Sequence, residues 1–445
     1  MNEPQKRNDE SKDHDEASLS TVATDDSVEY GYGYDDDIVD YDEKAFDDIE
    51  RNSPSLTKLD LYPYAPDPPL STDQWIALGR NIGRNTTIEH LNSCADGLDE
   101  EIYEIASTEN LNAFFSGLAN NRSLKFLMLE EYDFSRARLE TLRPFVVEND
   151  KLADLRIHNC GLNAVDVQML STAFSQRRNR SSIKHISLTG PTINDESVGA
   201  IVEMCNDCPR LRKLDLGWGS IRNHGCRVLA ALLRNAESKL KALELNDNKL
   251  GDEGVAALAN ALAINKRLKK LRIENNSAVT VSGWGALSTI LCNTSSIDAT
   301  YQSNHTLEKM WGSDSDKQQV PNDLVSILQA NSDGDKISVA REKIIRSHFC
   351  GSFDMSPFSN MDLELLPYVL GLIGKHIFYE GRSKRSAIYR VVRNFPDLCS
   401  FPSSDRKRLH KAEQENAALR GENVNLQHRI DQLLLEVEEL KSNKR

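Results

Sequence analysis

Apolar positions in the middle of this chain alternate between two rhythms. In LKALELNDNKLGDEGVAALANALAINKR, from Leu240 to Arg267, the first half reads LxxLxLxxN, the spacing of a short strand leading into an asparagine turn. The second half, GVAALANALAIN, has apolar residues at helical spacing, and at Leu268 the pattern restarts with LKKLRIENN. The first leucine position recurs at Leu56, Ile88, Leu124, Leu152, Ile183, Leu211, Leu240, Leu268 and Ile297, at intervals of 28 to 36 residues. A single strand and helix cannot bury these leucines, so successive units must stack and share one core. Helices are wider than strands, so the stack is expected to curve with strands on its concave side. The ninth-position Asn248 and Asn276 are placed to satisfy backbone groups at the turn, and Gly254 and Ala256 to let helices pack closely. Two units are weak: Ser93 stands at an apolar position, and a unit starting at Ile297 turns Thr300 and Gln302 inward.

This repeat, with its helix-bearing second half, resembles the ribonuclease-inhibitor-like class of leucine-rich-repeat proteins over roughly residues 56–311. The resemblance implies an α/β fold: a leucine-rich-repeat solenoid, or horseshoe, with parallel strands on the concave face and helices outside. That class includes inhibitors, GTPase activators, immune sensors and scaffolds, so the resemblance implies a shape and no single activity.

Charge divides the chain further. Residues 1–50 hold 18 Asp or Glu and 4 Lys or Arg, which accounts for the whole net charge of −14. Residues 1–52 are therefore expected to be a disordered acidic tail, within which Tyr30, Tyr32, Tyr34 and Tyr41 interleave with carboxylates. Its sharper reading is a docking segment for a basic, apolar-grooved partner. The repeat domain is placed at 53–311 and a polar linker, GSDSDKQQVPN, at 312–322. Residues 323–402 are expected to form a helical C-terminal cap, from DLVSILQ, ISVAREKIIRSHF, LELLPYVLGLI and SAIYRVVRNF. That segment, with SNHTL before it, is similar to leucine-rich-repeat families of unicellular algae. The charged first residues do not read as a signal peptide. The apolar run LLPYVLGLIGKHIF is too short to span a bilayer. Eight cysteines in so long a chain suggest thiols in a reducing compartment. A cytoplasmic location is the expectation, without membrane contact.

The last segment, 405–443, carries a heptad. With Leu409 at a, the a positions continue through Asn416, Asn423, Ile430 and Val437, and the d positions are Ala412, Leu419, Leu426, Leu433 and Leu440. Leucine at d with β-branched residues at a favours a parallel two-stranded coil, and asparagine at a fixes register. Across the seam Glu415 would meet Arg420, and Glu436 would meet Lys441. A parallel homodimer is expected. Only DRKRLHK precedes the leucines, too short a basic helix to follow a DNA groove, so nucleic acid is not an expected partner.

Chemistry is sparse. Cys205 and Cys208 make half of a zinc motif with no second half, and buried packing explains them better. No phosphate-binding loop, zincin helix or hydrolase elbow occurs, so no cofactor and no metal are expected. Non-leucine strand positions define the candidate ligand surface, which includes Met128 and Glu130. Its binding residues are Arg156, His158, His185, Lys213, Asp215, Trp218, Glu244, Asn246, Arg272 and Glu274. Mixed charge with a tryptophan suits a protein ligand. The sequence thus points to a non-enzymatic interaction scaffold or adaptor, dimerised by its coil. The alternative is a small-GTPase regulator of the Ran GTPase-activating type, although in this chain the acidic run precedes the repeats. An immune sensor is the third reading, and no Walker motif precedes the repeats to support it.

Overall fold

A computed structural model describes residues 43–61, 70–95, 108–134, 139–332 and 335–349. The strands β1 (Lys58–Leu61), β2 (His90–Cys94), β3 (Phe126–Glu130) and β4 (Asp154–His158) are followed by β5 (His185–Thr189), β6 (Lys213–Asp215), β7 (Ala242–Glu244) and β8 (Lys270–Arg272). They form one parallel sheet in chain order, each pairing only with its sequence neighbours. The register repeats without slippage, so Met128 sits beside Arg156, Arg156 beside Ser187, and Asp215 beside Glu244.

Helices form the second layer: α1 (Glu43–Glu50), α2 (Thr72–Arg84), α3 (Thr108–Leu118), α4 (Arg143–Glu148), α5 (Ala164–Ser175), α6 (Asp195–Asn206), α7 (Asn223–Arg234), α8 (Asp252–Leu262) and α9 (Val281–Leu291). Beyond them lie α10 (Ile297–Gln302), α11 (Asp314–Lys317), α12 (Asn322–Asn331) and α13 (Lys336–Phe349). The core between the layers is made by the motif leucines; Leu155, Ile157, Leu214, Leu216, Leu243 and Leu245 are all sealed from solvent. Ser93, the polar exception, is tolerated because its hydroxyl bonds the Tyr132 hydroxyl at 2.5 Å inside the core. Gly83 lets α2 cross α3 at backbone distance: a Cβ there would stand 2.0 Å from the Gly117 carbonyl oxygen. Gly254 packs in the expected way, with Asn223 and Cys226 against it, whereas Ala256 is half-exposed.

Three expectations are corrected. Ile297 does not open a strand; it lies at the start of α10 and is buried there. The next strand-like segment begins at Leu307, and Lys309 bridges Lys270. The reason is visible at Asn304. In the regular units an asparagine three residues before the first leucine caps the turn with its side chain. Asn121 Oδ1 accepts from the Ser123 and Leu124 N–H groups, and its Nδ2 donates to the Ile82 carbonyl at 2.8 Å. Asn85, Asn149 and Asn265 do the same before Ile88, Leu152 and Leu268. Asn304 does it before Leu307, so α10 is an insertion within the unit.

Second, the acidic segment is structured from Glu43: α1 is a helix whose Ile49 is buried, and Asn85 Nδ2 donates to the Ile49 carbonyl. Phe46 and Ile49, three apart, give it an apolar stripe against the repeat core. Third, the expected linker is packed against the sheet. Gln319 bonds Asn275 twice, at 3.0 and 2.7 Å, and Asp316 lies 3.6 Å from the Arg272 guanidinium. Next come α12 and α13, with Leu324, Leu328 and Val339 buried. Asn331 Nδ2 donates to the Leu307 carbonyl, closing the end of the last unit. The rest of the expected cap and the whole coil, including Asn416, Leu419, Asn423, Leu426, Ile430, Leu433, Val437 and Leu440, lie outside the described residues.

Candidate functional site

Strand alternation turns the third, fifth and seventh residue of each unit onto the open face of the sheet. Neighbouring strands stand about 4.8 Å apart, so long side chains on this face meet across units. On β4 and β5 they form one connected cluster. Asp154 Oδ2 accepts from Arg156 Nη2 and bonds His185 Nδ1, both at 3.0 Å. His158 Nε2 lies 2.8 Å from the Ser187 hydroxyl. Burial raises the Asp154 carboxyl, but hydrogen bonds and charge from His185 and Arg156 outweigh it and hold the group below its ordinary range. Burial, reinforced by the Arg156 charge, pushes the His158 imidazole down to about 4. Both histidines are buried under their neighbours. The cluster is thus an internally satisfied stack with one exception: His185 Nε2 is buried without a hydrogen-bond partner.

A second cluster spans β6 to β8. Lys213 Nζ pairs with Glu244 at 3.0 Å, and Arg272 bridges Glu244 at 3.4 Å and Glu274 at 2.5 Å. Burial lowers the Arg272 guanidinium, but Glu274 and Glu244 overcome this and raise it above its ordinary value. Burial raises Glu274, which is only 1% exposed. The arginines Arg156 and Arg272 are both committed to carboxylates.

Between the clusters the face changes character. Position eight of the unit has left-handed backbone at Glu131, Asn159, Trp218, Asp247 and Asn275, with φ between 48° and 60°. The cause is the ladder itself: the residue turns out of its strand while its N–H still bonds the neighbouring unit, as Trp218 N–H does to the Asn246 carbonyl at 3.0 Å. Asparagine and aspartate tolerate this region; a bulky side chain is rare there. Trp218 nevertheless occupies it and is 65% exposed. Asp215 lies on the same unit, Asp247 occupies the matching position of the next, and buried Asn246 Oδ1 has no hydrogen-bond partner. An exposed indole with carboxylates in its own and the next unit is chemistry suited to a cationic side chain.

All ten residues named from the sequence thus fall on the open face or its turn row. What the sequence reading missed is Asp154, which ties Arg156 to His185. Its signal was present, because DLRIH puts Asp154 in phase with Arg156 and His158. Also missed was the left-handed row, whose signal is the repeated Asn or Asp just before the ninth position.

On the opposite edge of the sheet, between the C-terminal ends of α6 and α7, lies a cleft of about 150 Å³. Cys205, Cys208, Leu211, Leu232 and Leu240 give it apolar walls, and Lys239 stands at its side. Burial raises the Cys205 thiol and pushes that of Cys208 up to about 12, the opposite of what a metal-bound thiolate needs. Among the described residues no group of three or more His, Cys, Asp or Glu is placed to hold a metal ion. No described helix is long and apolar enough to cross a membrane.

A single parallel sheet in chain order, an outer helix per unit and asparagine-capped turns define a leucine-rich-repeat solenoid. Comparison with known sequences agrees. The Leucine Rich repeat family model matches residues 237–259. The chain is 31% identical over 150 residues to the NACHT, LRR and PYD domains-containing protein 14 of Mus musculus, covering 33% of this chain and 15% of that one. It is 30% identical over 142 residues to the ribonuclease inhibitor of Mus musculus, covering 32% of this chain and 30% of that one. Against the ribonuclease inhibitor of Sus scrofa it is 31% identical over 152 residues, covering 33% and 32%. The chain therefore spans less than a third of the length of each of these relatives. A chain of the yeast Rad7 and Elc1 complex aligns at a TM-score of 0.36 and 15% identity, covering 62% of this chain and 69% of that one. The chain is thus a leucine-rich-repeat solenoid that is similar to the ribonuclease inhibitors over about a third of its length.

Proposed function

We propose that this protein is a non-enzymatic scaffold that binds a protein ligand on the open face of its strand layer, centred on Trp218. The observation that carries this is the exposed indole on left-handed backbone, with Asp215 in the same unit and Asp247 at the matching position of the next. A strained, solvent-facing aromatic contributes nothing to the core, and tryptophan is a frequent interface anchor. Adjacent carboxylates favour a ligand that presents lysine or arginine to the ring. Glu244, Asn246, Lys213, Arg272 and Glu274 extend the surface on one side, and Arg156, His158 and His185 on the other. Two of the relatives are named as inhibitors of ribonuclease, itself a protein, which supports a protein ligand. Pairing through the heptad at 405–443 would present two such faces to one partner and raise effective concentration. The cytoplasm is the compartment that fits the cysteine usage. The GTPase-regulator reading gains no observation, since Arg156 and Arg272 are both held in ion pairs.

The test is ligand capture with the intact protein against a Trp218→Ala, Asp215→Arg double variant. Specific protein partners should be lost from the variant while its thermal unfolding stays unchanged. Equal retention by both proteins would reject the site.

A further inference from the structure

The two edges of the solenoid differ in charge although its body is neutral overall. Connectors running from helix ends into the next strand, at 176–184, 207–212, 235–241 and 263–269, hold eleven Lys or Arg against Asp207 and Glu237. Connectors on the other edge, at 159–163, 190–194, 216–222, 245–251 and 273–280, hold two bases and two acids. Apart from Arg177, which is buried and bonds the Asn149 carbonyl, the cations of the basic edge reach solvent. Some of that charge is spent locally, in Arg178–Glu148 at 3.2 Å and Arg180–Asp207 at 2.8 Å. Helix C-termini favour cations, which explains how so many sit close together. The repeat then adds the same sign unit after unit, and the edge keeps a net positive field. The cleft between α6 and α7 opens on this edge. Its volume of about 150 Å³ matches a cavity that accepts one benzene-sized ring.

The same chain carries the complementary charge. Residues 25–42 contain eight Asp or Glu, no Lys or Arg, and the tyrosines Tyr30, Tyr32, Tyr34 and Tyr41. We propose that this acidic tyrosine-rich segment docks along the basic edge of its own solenoid, with one tyrosine ring seated between Cys208, Leu232 and Leu240. Reach is no obstacle. The described chain begins at α1, beside the first repeat, and β7 lies roughly 30 Å along the sheet at about 4.8 Å per strand. The 18 residues of 25–42, which run directly into α1, span up to ~60 Å when extended, so their N-terminal half reaches that far. Tethering adds effective concentration, so individually weak contacts suffice. A polyanion or an acidic partner must then displace the segment to use this edge, and high salt loosens it.

The experiment is zero-length carbodiimide cross-linking of the full-length protein, prepared as a mixture of ¹⁴N- and ¹⁵N-labelled chains, with peptide mapping. Amide links should form from carboxylates of 25–42 to Lys239, Lys241 or Lys266. They should exceed links to Lys249, on the opposite edge, by at least about tenfold and join peptides of the same isotope. They should fade in high salt. In a Lys239→Glu, Lys241→Glu, Lys266→Glu variant, links to Lys184 and Lys269 should fall as well. Replacing the four tyrosines by alanine keeps every carboxylate and should still reduce the yield if the cleft is used. Links spread equally over Lys249 would overturn the proposal. So would predominantly mixed-isotope links, which would make a second copy the occupant.

Discussion

His158 Nε2 and the Ser187 hydroxyl meet at 2.8 Å across two neighbouring strands. Of the two groups only the imidazole titrates, and its burial on folding sets a pH dependence. Unfolded, the imidazole takes up a proton near 6.5; folded, it resists until about 4. The unfolded state therefore binds more protons between those values, and stability must fall as pH drops from 6.5 to 4. For this buried group the loss is on the order of 3 kcal/mol. His305, also lowered to about 4 by burial, adds to the same window. Asp154 does not: its carboxyl is held below 3.8, so its contribution is lost only at still lower pH. Urea unfolding at pH 7, 5.5 and 4.5 measures this. His158→Gln, which keeps a hydrogen-bonding side chain, should flatten the slope. An unchanged slope in that variant would show that His158 is not the responsible group.

The asparagine turns predict a graded series. Asn121→Ala removes the acceptor for two backbone N–H groups and the donor to the Ile82 and Asn85 carbonyls, all buried. Leaving such groups unsatisfied should cost about 2–4 kcal/mol. Asn235→Ala, where the side chain is exposed and bonds the Glu237 N–H and the Asn206 side chain, should cost under ~1 kcal/mol. Equal midpoints in denaturant for the two variants would contradict the ladder's role.

Most of this architecture was legible in the chain. The leucine positions from Leu56 to Leu268 identified every strand among the described residues, because a strand that buries alternate residues must repeat them. Ile297 misled because a helix start can imitate a first leucine; the Asn-x-x-Leu signal at Asn304 and Leu307 was the better guide. The charge runs were visible, but their edges were not, since only folding brings four separated connectors onto one side. The strand face was located correctly in outline. Burial of His158, His185 and Glu274 was hidden because it comes from side chains on adjacent units.

Trp218 predicts a trade between stability and binding. At φ 57° a Cβ-bearing residue costs about 1–2 kcal/mol, and glycine loses part of that gain to its unfolded-state entropy. Trp218→Gly should leave the protein as stable or up to about 1 kcal/mol more stable, while abolishing ligand capture. Destabilisation beyond ~1 kcal/mol would mean the indole supports the fold instead.

The heptad gives an expectation for assembly. Light scattering of the full-length protein should report a dimer, and a chain ending at residue 404 should be monomeric with unchanged thermal unfolding of the repeats. A monomer for the full-length protein would remove pairing from the proposed function.

The most direct test of ligand binding by the strand face is quantitative affinity capture from native lysate. Wild type would be compared with the Trp218→Ala, Asp215→Arg variant and with a Lys249→Glu control outside the face. The account predicts protein partners retained by wild type and control and depleted at least about tenfold by the double variant. Partners retained equally by all three proteins would contradict it.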